Sequence, residues 1–376
     1  MRFDLEQLDN TTDIAVWLAI SRCARFILKQ TLIWEEHLAM RALIVGAGGM
    51  GQAWARNVDS SDEAEIAGWI DVRPGAAGEA AEKNGLNVPY TGTDLEEAIR
   101  ALAPDFVVDV TPPEIHRDVT VTALGHGIPV IGEKPMAETI EKAKEMVRAS
   151  ESAGKLYMVS QSRRYINLQN AFRDLIRGNV GTLGILNADF YIGAHFGGFR
   201  DEMDSVLLVD MAIHTLDQAR YLSGKNALAV YADEWVADWS WYRGAASAVA
   251  HFEMEDGLRF TYRGSWCAEG AHTSWEGNWR AVGANGTARW TGEGVPWAET
   301  VTGTEGFMRT TDRTDGQVLS GKEGIAGSLD EFVNALKSGA TPNGECHDNI
   351  QSLAMVLAAV ESSRRKERVE IAELLA

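Results

Sequence analysis

The sequence has little cysteine: of its 376 residues only Cys23, Cys267 and Cys346 are cysteines, and they lie far apart. An odd number of distant cysteines predicts neither a disulfide framework nor a metal-binding spacing, and a reducing cytoplasm is the simplest setting for it. The N-terminal segment also lacks a long hydrophobic run. Its apolar stretch, Ile14 to Ile20, is too short to span a bilayer and follows acidic rather than basic residues, which is not typical of a signal peptide.

Positive charge is scarce as well, because 35 Lys and Arg residues face 54 Asp and Glu residues, for a formal net charge of −19. A phosphate backbone or an anionic membrane would repel such a chain, so neither is expected as a partner. The composition, 45% apolar and 24% charged, is that of an ordinary globular protein, and the length predicts two domains.

A glycine-rich stretch near residue 46 carries the first functional pattern. The apolar run Ala42 to Val45 has the composition of a buried strand, and it leads into Gly46-x-Gly48-x-x-Gly51 and a helical segment, Gln52 to Val58. Gly46 permits a tight turn, Gly48 lets the backbone approach a pyrophosphate, and Gly51 lets the helix pack against the strand. The helix N-terminus adds free N–H groups. This order predicts a dinucleotide site, and the alternative is a strand-turn-helix unit without a ligand.

A carboxylate at the expected distance supports a dinucleotide. The second apolar strand, Glu65 to Ile70, ends at Asp71, twenty residues after Gly51. There the side chain would hold the adenosine ribose hydroxyls. Asp71 favours NAD because a 2′-phosphate would meet a negative charge. Arg73 keeps NADP as an alternative, since a guanidinium can stack on adenine or receive that phosphate.

Two further strands of this half end in residues suited to a cofactor. Helices and strands alternate after Asp71, as a doubly wound parallel sheet requires. Strand Phe106 to Val110 runs into Thr111-Pro112-Pro113, and strand Pro129 to Ile131 runs into Glu133-Lys134-Pro135. Ligands bind at the carboxyl ends of such strands, so both segments are expected beside the cofactor.

The second half of the chain has a different pattern. Few helices are predicted there, and strands are predicted at 182–192, 227–234, 246–252, 258–267 and 287–290, which indicates an antiparallel sheet interrupted by a helix at 209–222. We therefore expect an α/β protein with three segments. These are an N-terminal extension (1–39), a Rossmann domain with a doubly wound parallel sheet (40–160), and a C-terminal α+β domain with a large open-faced, mostly antiparallel sheet (161–376).

The order and spacing of these motifs resemble the Gfo/Idh/MocA oxidoreductase family, the NAD(P)-dependent sugar and cyclitol dehydrogenases. The resemblance extends from Met40 to about Ile371 and rests on the glycine motif, Asp71, Thr111-Pro112-Pro113 with His116, Glu133-Lys134-Pro135, and Asp210-Met211-Ala212-Ile213-His214 with Asp217. It implies a catalytic lysine, aspartate and histidine, which match Lys134, Asp210 and His214. It also implies a Lys134–Pro135 bond that is often cis, and an oligomer interface on the C-terminal sheet.

The residue types agree with these implied roles. Asp210 and His214 are four apart on one predicted helix and share a face, which Asp217 extends. A carboxylate beside an imidazole favours its charged form, and His214 is expected to take the hydroxyl proton as hydride leaves the same carbon. Lys134 would stabilise the charge that develops on the oxygen, and Asp210 would orient the pair. The alternative makes Asp210 a helix cap and His214 a satisfied core histidine.

Further candidates complete the predicted site. The resemblance places Glu133 at the nicotinamide ribose, with a solvated loop acid as the alternative, and His116 is equally suited to a structural role. The residues predicted to contact the cofactor are Gly46, Gly48, Gly49, Met50, Gly51, Asp71, Arg73, Thr111, Pro112, Pro113, His116, Glu133 and Lys134. Those predicted to contact the substrate are Lys134, Arg164, Tyr165, His195, Arg200, Asp210 and His214. No metal is expected, because the histidines lack ligand spacing.

Two features stand apart from the family pattern. Val206 to Val209 replaces a glycine pair that many relatives carry before the catalytic aspartate, so a different loop path is expected. Eight of the twelve tryptophans lie between Trp235 and Trp297. We expect most of them to pack the sheet against another subunit, and the alternative is that some stack on the C–H faces of a glycoside-sized ligand.

The sequence thus predicts an oxidoreductase that transfers a hydride between NAD(P) and a secondary alcohol of a sugar, cyclitol or glycoside. In it Lys134 polarises the oxygen and His214 is the general acid and base. One alternative is an enzyme that uses transient oxidation to cleave a glycoside, and another is a nucleotide-binding regulator without catalysis. A homo-oligomer, either a dimer or a tetramer, is expected.

Overall fold

The computed structural model describes residues 39–376, and all but the last residue of the predicted N-terminal extension lies outside them. The first sheet consists of β1 (Met40–Val45), β2 (Ala64–Ile70), β3 (Thr91–Gly92), β4 (Phe106–Asp109), β5 (Val130–Glu133) and β6 (Tyr157–Ser160). Its six strands are parallel and lie in the order β3-β2-β1-β4-β5-β6. The order reverses at β1, which places the glycine motif at the switch point where such sheets bind ligands.

Five helices connect these strands: α1 (Gly49–Asp59), α2 (Ala76–Asn84), α3 (Leu95–Leu102), α4 (Pro113–Gly125) and α5 (Ile140–Ala153). Two of them begin with a side-chain cap. Asp94 accepts a hydrogen bond from the Glu97 N–H at 2.7 Å, and Thr139 accepts one from the Lys142 N–H at 3.3 Å. The alternation of strand and helix confirms the predicted doubly wound parallel sheet.

The second half of the chain contains further helical segments, most of which pack on one face of a second sheet. They are a 3₁₀ turn (Ser162–Tyr165), α6 (Asn167–Leu175), a π turn (Ile176–Val180), α7 (Phe199–Glu202), a second π turn (Leu207–Ala212) that continues into α8 (Ile213–Ser223), α9 (Gly324–Ser338), α10 (Cys346–Arg365) and α11 (Ile371–Leu375). The predicted helix at 209–222 therefore exists but starts with π geometry. Of the residues that replace the glycine pair, Val206, Leu207 and Leu208 are fully buried and Val209 is half-buried.

The second sheet has nine strands: β7 (Leu183–Tyr191), β8 (Ala227–Trp235), β9 (Ser247–Met254), β10 (Arg259–Ser265), β11 (Asn278–Gly283), β12 (Gly286–Trp290), β13 (Trp297–Val301), β14 (Thr311–Asp315) and β15 (Val369–Glu370). Their order is β14-β13-β12-β11-β7-β10-β9-β8-β15, and β7 and β10 pair in parallel while the other pairs are antiparallel. The predicted mostly antiparallel sheet is confirmed.

Some of the tryptophans clustered between Trp235 and Trp297 are buried on the covered face of the second sheet. Trp266, Trp279 and Trp290 each expose 2% of their surface and pack in the chain's own core. The expectation that most of the clustered tryptophans face another subunit is wrong for these three. Trp279 and Trp290 are covered because the inward positions of β11 and β12 face the helical layer, which no local pattern specifies.

A helix of the second half of the chain packs on the first sheet. Helix α9 returns to the first sheet, where Leu329, Phe332 and Val333 join the core beneath β1 and β4, and the ring of Phe332 meets that of Phe106 at 5.4 Å. Within residues 39–376 the structure contains no helix of the length and apolarity needed to cross a bilayer.

Candidate active site

The turn between β1 and α1 needs glycine at two positions. Gly46 has φ +110°, and a Cβ added there would lie 2.6 Å from the Val110 carbonyl oxygen. A Cβ at Gly51 would lie 2.1 Å from the Gly46 carbonyl oxygen. At Gly48 and Gly49 an added Cβ would meet no described atom within 4 Å. The turn is therefore closed towards the sheet and open above the N-terminus of α1, which provides room for a phosphate.

Asp71 follows β2 beside this turn. Its carboxylate accepts hydrogen bonds from the Ala47 N–H at 2.7 Å and from Arg73 Nε at 2.9 Å. The bond from Arg73 is the largest of the effects that lower the pKa of Asp71 to about 2, so the side chain is an anion at neutral pH. Arg73 itself lies folded back over this carboxylate, and ribose hydroxyls would share Asp71 with it.

His116 joins the two loops that were expected beside the cofactor. Its side chain is buried, with Nε2 2.7 Å from the Thr111 carbonyl oxygen and Nδ1 3.0 Å from the Pro135 carbonyl oxygen. Main-chain oxygens lie within hydrogen-bond distance of both ring nitrogens, so His116 has the structural role that the sequence left open, and its contact with the cofactor stays a prediction. The residue holds Thr111-Pro112-Pro113 against the segment that carries Lys134.

Glu133 lies at the end of β5 and is buried. One carboxylate oxygen accepts a hydrogen bond from Trp54 Nε1 at 2.7 Å, and the other accepts one from the Lys134 N–H at 3.2 Å. Burial raises the pKa of Glu133. The alternative of a solvated loop acid is wrong, and Trp54 on α1 is a partner that no local motif indicated.

Lys134 reaches from the first half of the chain to the helix of the second half. The Lys134–Pro135 bond is cis. The ammonium donates to the Asp210 carbonyl oxygen at 3.3 Å and lies 3.8 Å from Asp210 Oδ1. Asp210 Oδ2 accepts a hydrogen bond from Arg200 Nε at 2.5 Å. Asp210 lies inside a continuous helical segment, so it is not a helix cap, and its carboxylate lies between two cations.

His214 follows one turn later and lies in a cationic environment. Burial lowers its pKa well below the usual range, and the charges of Lys134 and Arg163 add to this effect. The expectation that Asp210 keeps the imidazole charged is wrong, because that carboxylate binds Lys134 and Arg200 instead. His214 Nδ1 is buried without a hydrogen-bond partner in the described part of the chain. The lowered pKa favours the neutral imidazole, and the open Nδ1 shows that His214 is not a satisfied core histidine.

Arg164 and Tyr165, predicted to line the substrate pocket, lie elsewhere. The Arg164 guanidinium is buried between Asp217, at 2.6 Å, and Asp348, at 2.7 Å. Asp217 is thus bound to Arg164 and does not extend the face formed by Asp210 and His214. Tyr165 packs against α9 at Gly327, where an added Cβ would lie 2.7 Å from the Tyr165 Cβ. Both side chains of the 3₁₀ turn therefore have partners outside the group around Asp210.

Arg163, which was not among the predicted site residues, lies beside His214. Its Nε is 3.4 Å from Glu276 Oε2 and its Nη2 is 3.8 Å from Met211 Sδ, while Nη1 is buried and has no partner within residues 39–376. Two consecutive arginines follow β6, and the sequence could not show which of them turns towards the helix that carries His214.

The last two candidates, His195 and Arg200, precede the second π turn and have different partners. Arg200 joins the site through its bond to Asp210. His195 instead stacks on Trp241, with ring centroids 3.7 Å apart, and Nε2 lies 2.9 Å from Glu269. It therefore belongs to the rim of the site and not to the group around Asp210.

One set of metal-ligating side chains occurs among residues 39–376, although none was expected. The ligand atoms of Glu345, Cys346 and His347 lie within 4.8 Å of one another at the start of α10. The three groups are joined by hydrogen bonds, and Glu345 also caps the helix at the His347 N–H. The set includes none of the residues gathered around Asp210.

Comparison with known families decides the affiliation. Residues 40–161 match the family model described as the oxidoreductase family with an NAD-binding Rossmann fold, and residues 170–289 match the GFO/IDH/MocA C-terminal domain. The chain belongs to the Gfo/Idh/MocA family. This Gfo/Idh/MocA chain is therefore an NAD-dependent oxidoreductase, and the open space at Gly48 and the anion at Asp71 fit that cofactor.

Related proteins cover most of the described chain. An uncharacterized protein, y4oX, of Sinorhizobium fredii is 27% identical over 354 residues, which are 90% of this chain and 97% of that one. Inositol 2-dehydrogenase of an Arthrobacter species is 29% identical, but the match covers 51% of this chain and 56% of that enzyme. An oxidoreductase from Agrobacterium radiobacter, solved with NAD+, L-tartaric acid and magnesium, has a TM-score of 0.78 at 23% identity and covers 89% of this chain and 99% of its own.

Proposed function

We propose that this Gfo/Idh/MocA chain oxidises a secondary alcohol of a sugar, cyclitol or glycoside and reduces its ketone in the reverse direction. The observation that carries the proposal is the meeting of Lys134 with Asp210 and His214. The ammonium lies 3.3 Å from the Asp210 carbonyl oxygen, although 76 residues separate the two in sequence. A donor and a neutral base from different domains are thereby brought together.

Each of these side chains has a separate role in the proposed reaction. Lys134 donates a hydrogen bond to the substrate oxygen and stabilises the negative charge that develops on it. His214 takes the hydroxyl proton on its imidazole and returns it when a ketone is reduced. Asp210 holds the Lys134 ammonium in place. NAD, when bound, supplies the hydride acceptor, and it would be held by Gly48 to Gly51, Asp71 and Glu133.

The substrate class rests on the relatives. The enzymes that match over part or most of the chain include inositol 2-dehydrogenase and, at 23% identity over 87% of this chain, the 1,5-anhydro-D-fructose reductase of Ensifer adhaerens. Their substrates carry hydroxyl groups on a six-membered ring. We extend this class to the present chain because Lys134 and His214 need only a carbinol between them.

A homo-oligomer through the second sheet is part of the proposal. The uncovered face of that sheet exposes Ile185, Tyr231 and Val249 by 47%, 53% and 38%, and the ion pair of Arg263 with Asp189 lies among them. Half-exposed apolar side chains on a broad sheet suit a subunit interface. Size-exclusion chromatography with light scattering gives the number of subunits.

A panel of sugars, inositols and glycosides tests the proposed reaction. Each is incubated with the protein and NAD or NADP, and formation of the reduced cofactor is followed by absorbance. We expect turnover of at least one polyol or sugar, with NAD preferred. Tight NAD binding without turnover across the panel would point to a regulator, and cleavage of a glycoside without net reduced cofactor would point to transient oxidation.

A further inference from the structure

An aromatic patch lies next to the catalytic cluster and is joined to it by Arg200. The guanidinium carbon of Arg200 lies 5.0 Å from the ring centroid of Phe196 and 4.7 Å from that of Phe199, while its Nε bonds Asp210. The Arg200 guanidinium therefore contacts both rings and Asp210.

The patch continues from Phe196 into the sheet domain. The Phe196 ring packs on Trp266 at 5.0 Å and on Trp275 at 6.2 Å, and Trp275 also meets Phe190. Phe190 is fully buried on the face of the sheet that α8 covers. The aromatic patch therefore lies on the same side of the sheet as His214 and is separate from the uncovered face.

Three of these rings remain accessible even though their loop is anchored. Phe196, Phe199 and Trp275 expose 45%, 65% and 48% of their surface. The Ala194 N–H bonds the Trp266 carbonyl oxygen at 3.3 Å, and the Ala194 carbonyl oxygen accepts from Trp241 Nε1 at 3.2 Å. An anchored loop that presents half-exposed aromatic rings is a preformed apolar platform.

Polar groups lie at the edge of this platform. His195 Nε2 and Glu269 Oε1 lie within hydrogen-bond distance at 2.9 Å, and the two side chains are 61% and 62% exposed. The His195 ring rests on Trp241. A pyranose ring has an apolar C–H face and an edge of hydroxyls, so it matches an aromatic surface with hydrogen-bonding groups at its edge.

We propose that Phe196, Phe199 and Trp275 form a subsite for the second ring of a disaccharide or similar glycoside. The oxidised ring occupies the space at Lys134 and His214, and the linked ring lies on the aromatic patch with its hydroxyls towards His195 and Glu269. The inference rests on the proposed function and narrows its substrate class from polyols in general to glycosides.

Matched substrates test the subsite. The value of kcat/KM is measured for a methyl glycoside and for the disaccharide that carries the same ring at its non-reducing end, for example methyl β-D-glucopyranoside and cellobiose. We expect the disaccharide to be preferred, and Phe199→Ala and Trp275→Ala each to lower that preference by up to about tenfold, the size of one aromatic contact. Phe307→Ala is the control, since Phe307 is a fully exposed phenylalanine on the β13–β14 hairpin.

Two results would overturn the subsite. One is an equal kcat/KM for both substrates, or variants that lower both values by the same factor. The other is a Phe199→Ala protein that loses subunits in size-exclusion chromatography while its preference stays unchanged, which would make the patch a subunit contact.

A binding measurement separates this proposal from the proposed function. Isothermal titration of the NAD-loaded protein with each sugar needs no turnover. Tighter binding of the disaccharide that weakens in Trp275→Ala would support the subsite even if no alcohol is oxidised. Equal binding of the two sugars would overturn the subsite and leave the dehydrogenase chemistry intact.

Discussion

The cofactor half and the substrate half of the cleft differ in how their buried polar groups are satisfied. Asp71, His116 and Glu133 each have close hydrogen-bond partners within the protein. On the substrate side, by contrast, His214 Nδ1 and Arg163 Nη1 are buried without partners in the part of the chain that the structure describes. Buried polar groups are normally paired, so the substrate half is the part that a ligand or ordered water would complete.

This difference separates residues that shape the site from residues that react. A fully bonded group holds loops in place, and its loss is expected to affect folding or cofactor binding. A group with an open position is available to substrate, and its loss is expected to affect turnover. Four sets of substitutions test this division.

The largest effect is expected at Arg164, which the structure assigns to the framework. Arg164→Met leaves the carboxylate of Asp217, 1% exposed, buried without its cation. Breaking a buried ion pair in this way typically lowers the free energy of unfolding by about 3–5 kcal/mol. Urea denaturation measures this free energy of unfolding. Arg117→Met is the control, because the pairs of Arg117 with Glu145 and Asp118 are exposed and each stabilise the fold by less than about 1 kcal/mol. A stable but inactive Arg164→Met protein would restore Arg164 to the substrate pocket.

Turnover should respond most to Lys134 and His214. Lys134→Ala and His214→Ala are each expected to lower kcat by at least about a hundredfold, because a charge-stabilising donor or the general base is lost. The dissociation constant for NAD should remain nearly unchanged, as measured by fluorescence titration. Lys142→Ala and His251→Ala are matched controls on exposed sites. Full activity in either active-site variant would refute the role given to that residue.

The glycine turn offers a finer comparison between neighbouring positions. Gly51→Ala places a methyl group against the Gly46 carbonyl oxygen, and such overpacking typically costs about 1–3 kcal/mol. It should also weaken NAD binding, because α1 must move. Gly49→Ala meets open space and should leave folding stability unchanged. Equal unfolding free energies for the two variants would show that the turn is less tightly packed than the structure indicates.

The smallest expected effect is a shift in pH dependence. His214 has a pKa below its usual range, so the base form is present at neutral pH, and kcat for alcohol oxidation should fall only in acid, below about pH 6.5. Arg163→Met removes one of the two cations that lower this pKa. The acid limb of the pH profile should therefore move to higher pH. A limb that stays in place, or moves to lower pH, would mean that Arg163 does not act on His214.

Local patterns were sufficient for the cofactor half of the fold. Gly46 and Gly51 face backbone atoms at distances that exclude a side chain, so the sequence must retain glycine where the turn is tight. Asp71 follows its strand directly. Such features depend on neighbours in sequence, and motif spacing indicates them.

The substrate half depends on contacts between distant residues. Arg163 and Arg164 are adjacent, yet one faces His214 and the other binds Asp348, 184 residues away. The electrostatic expectation for His214 failed for the same reason, because Arg200 and Lys134 occupy the carboxylate of Asp210. Helical spacing shows which residues share a face but not which partner reaches that face from another element.

A crystal structure of the protein with NAD and a bound polyol or disaccharide tests the central claim most directly. The account predicts that the carbinol carbon lies against the nicotinamide ring, with its oxygen within hydrogen-bond distance of both Lys134 Nζ and a ring nitrogen of His214. A substrate bound away from either group, or a nicotinamide ring outside the space between them, would contradict it.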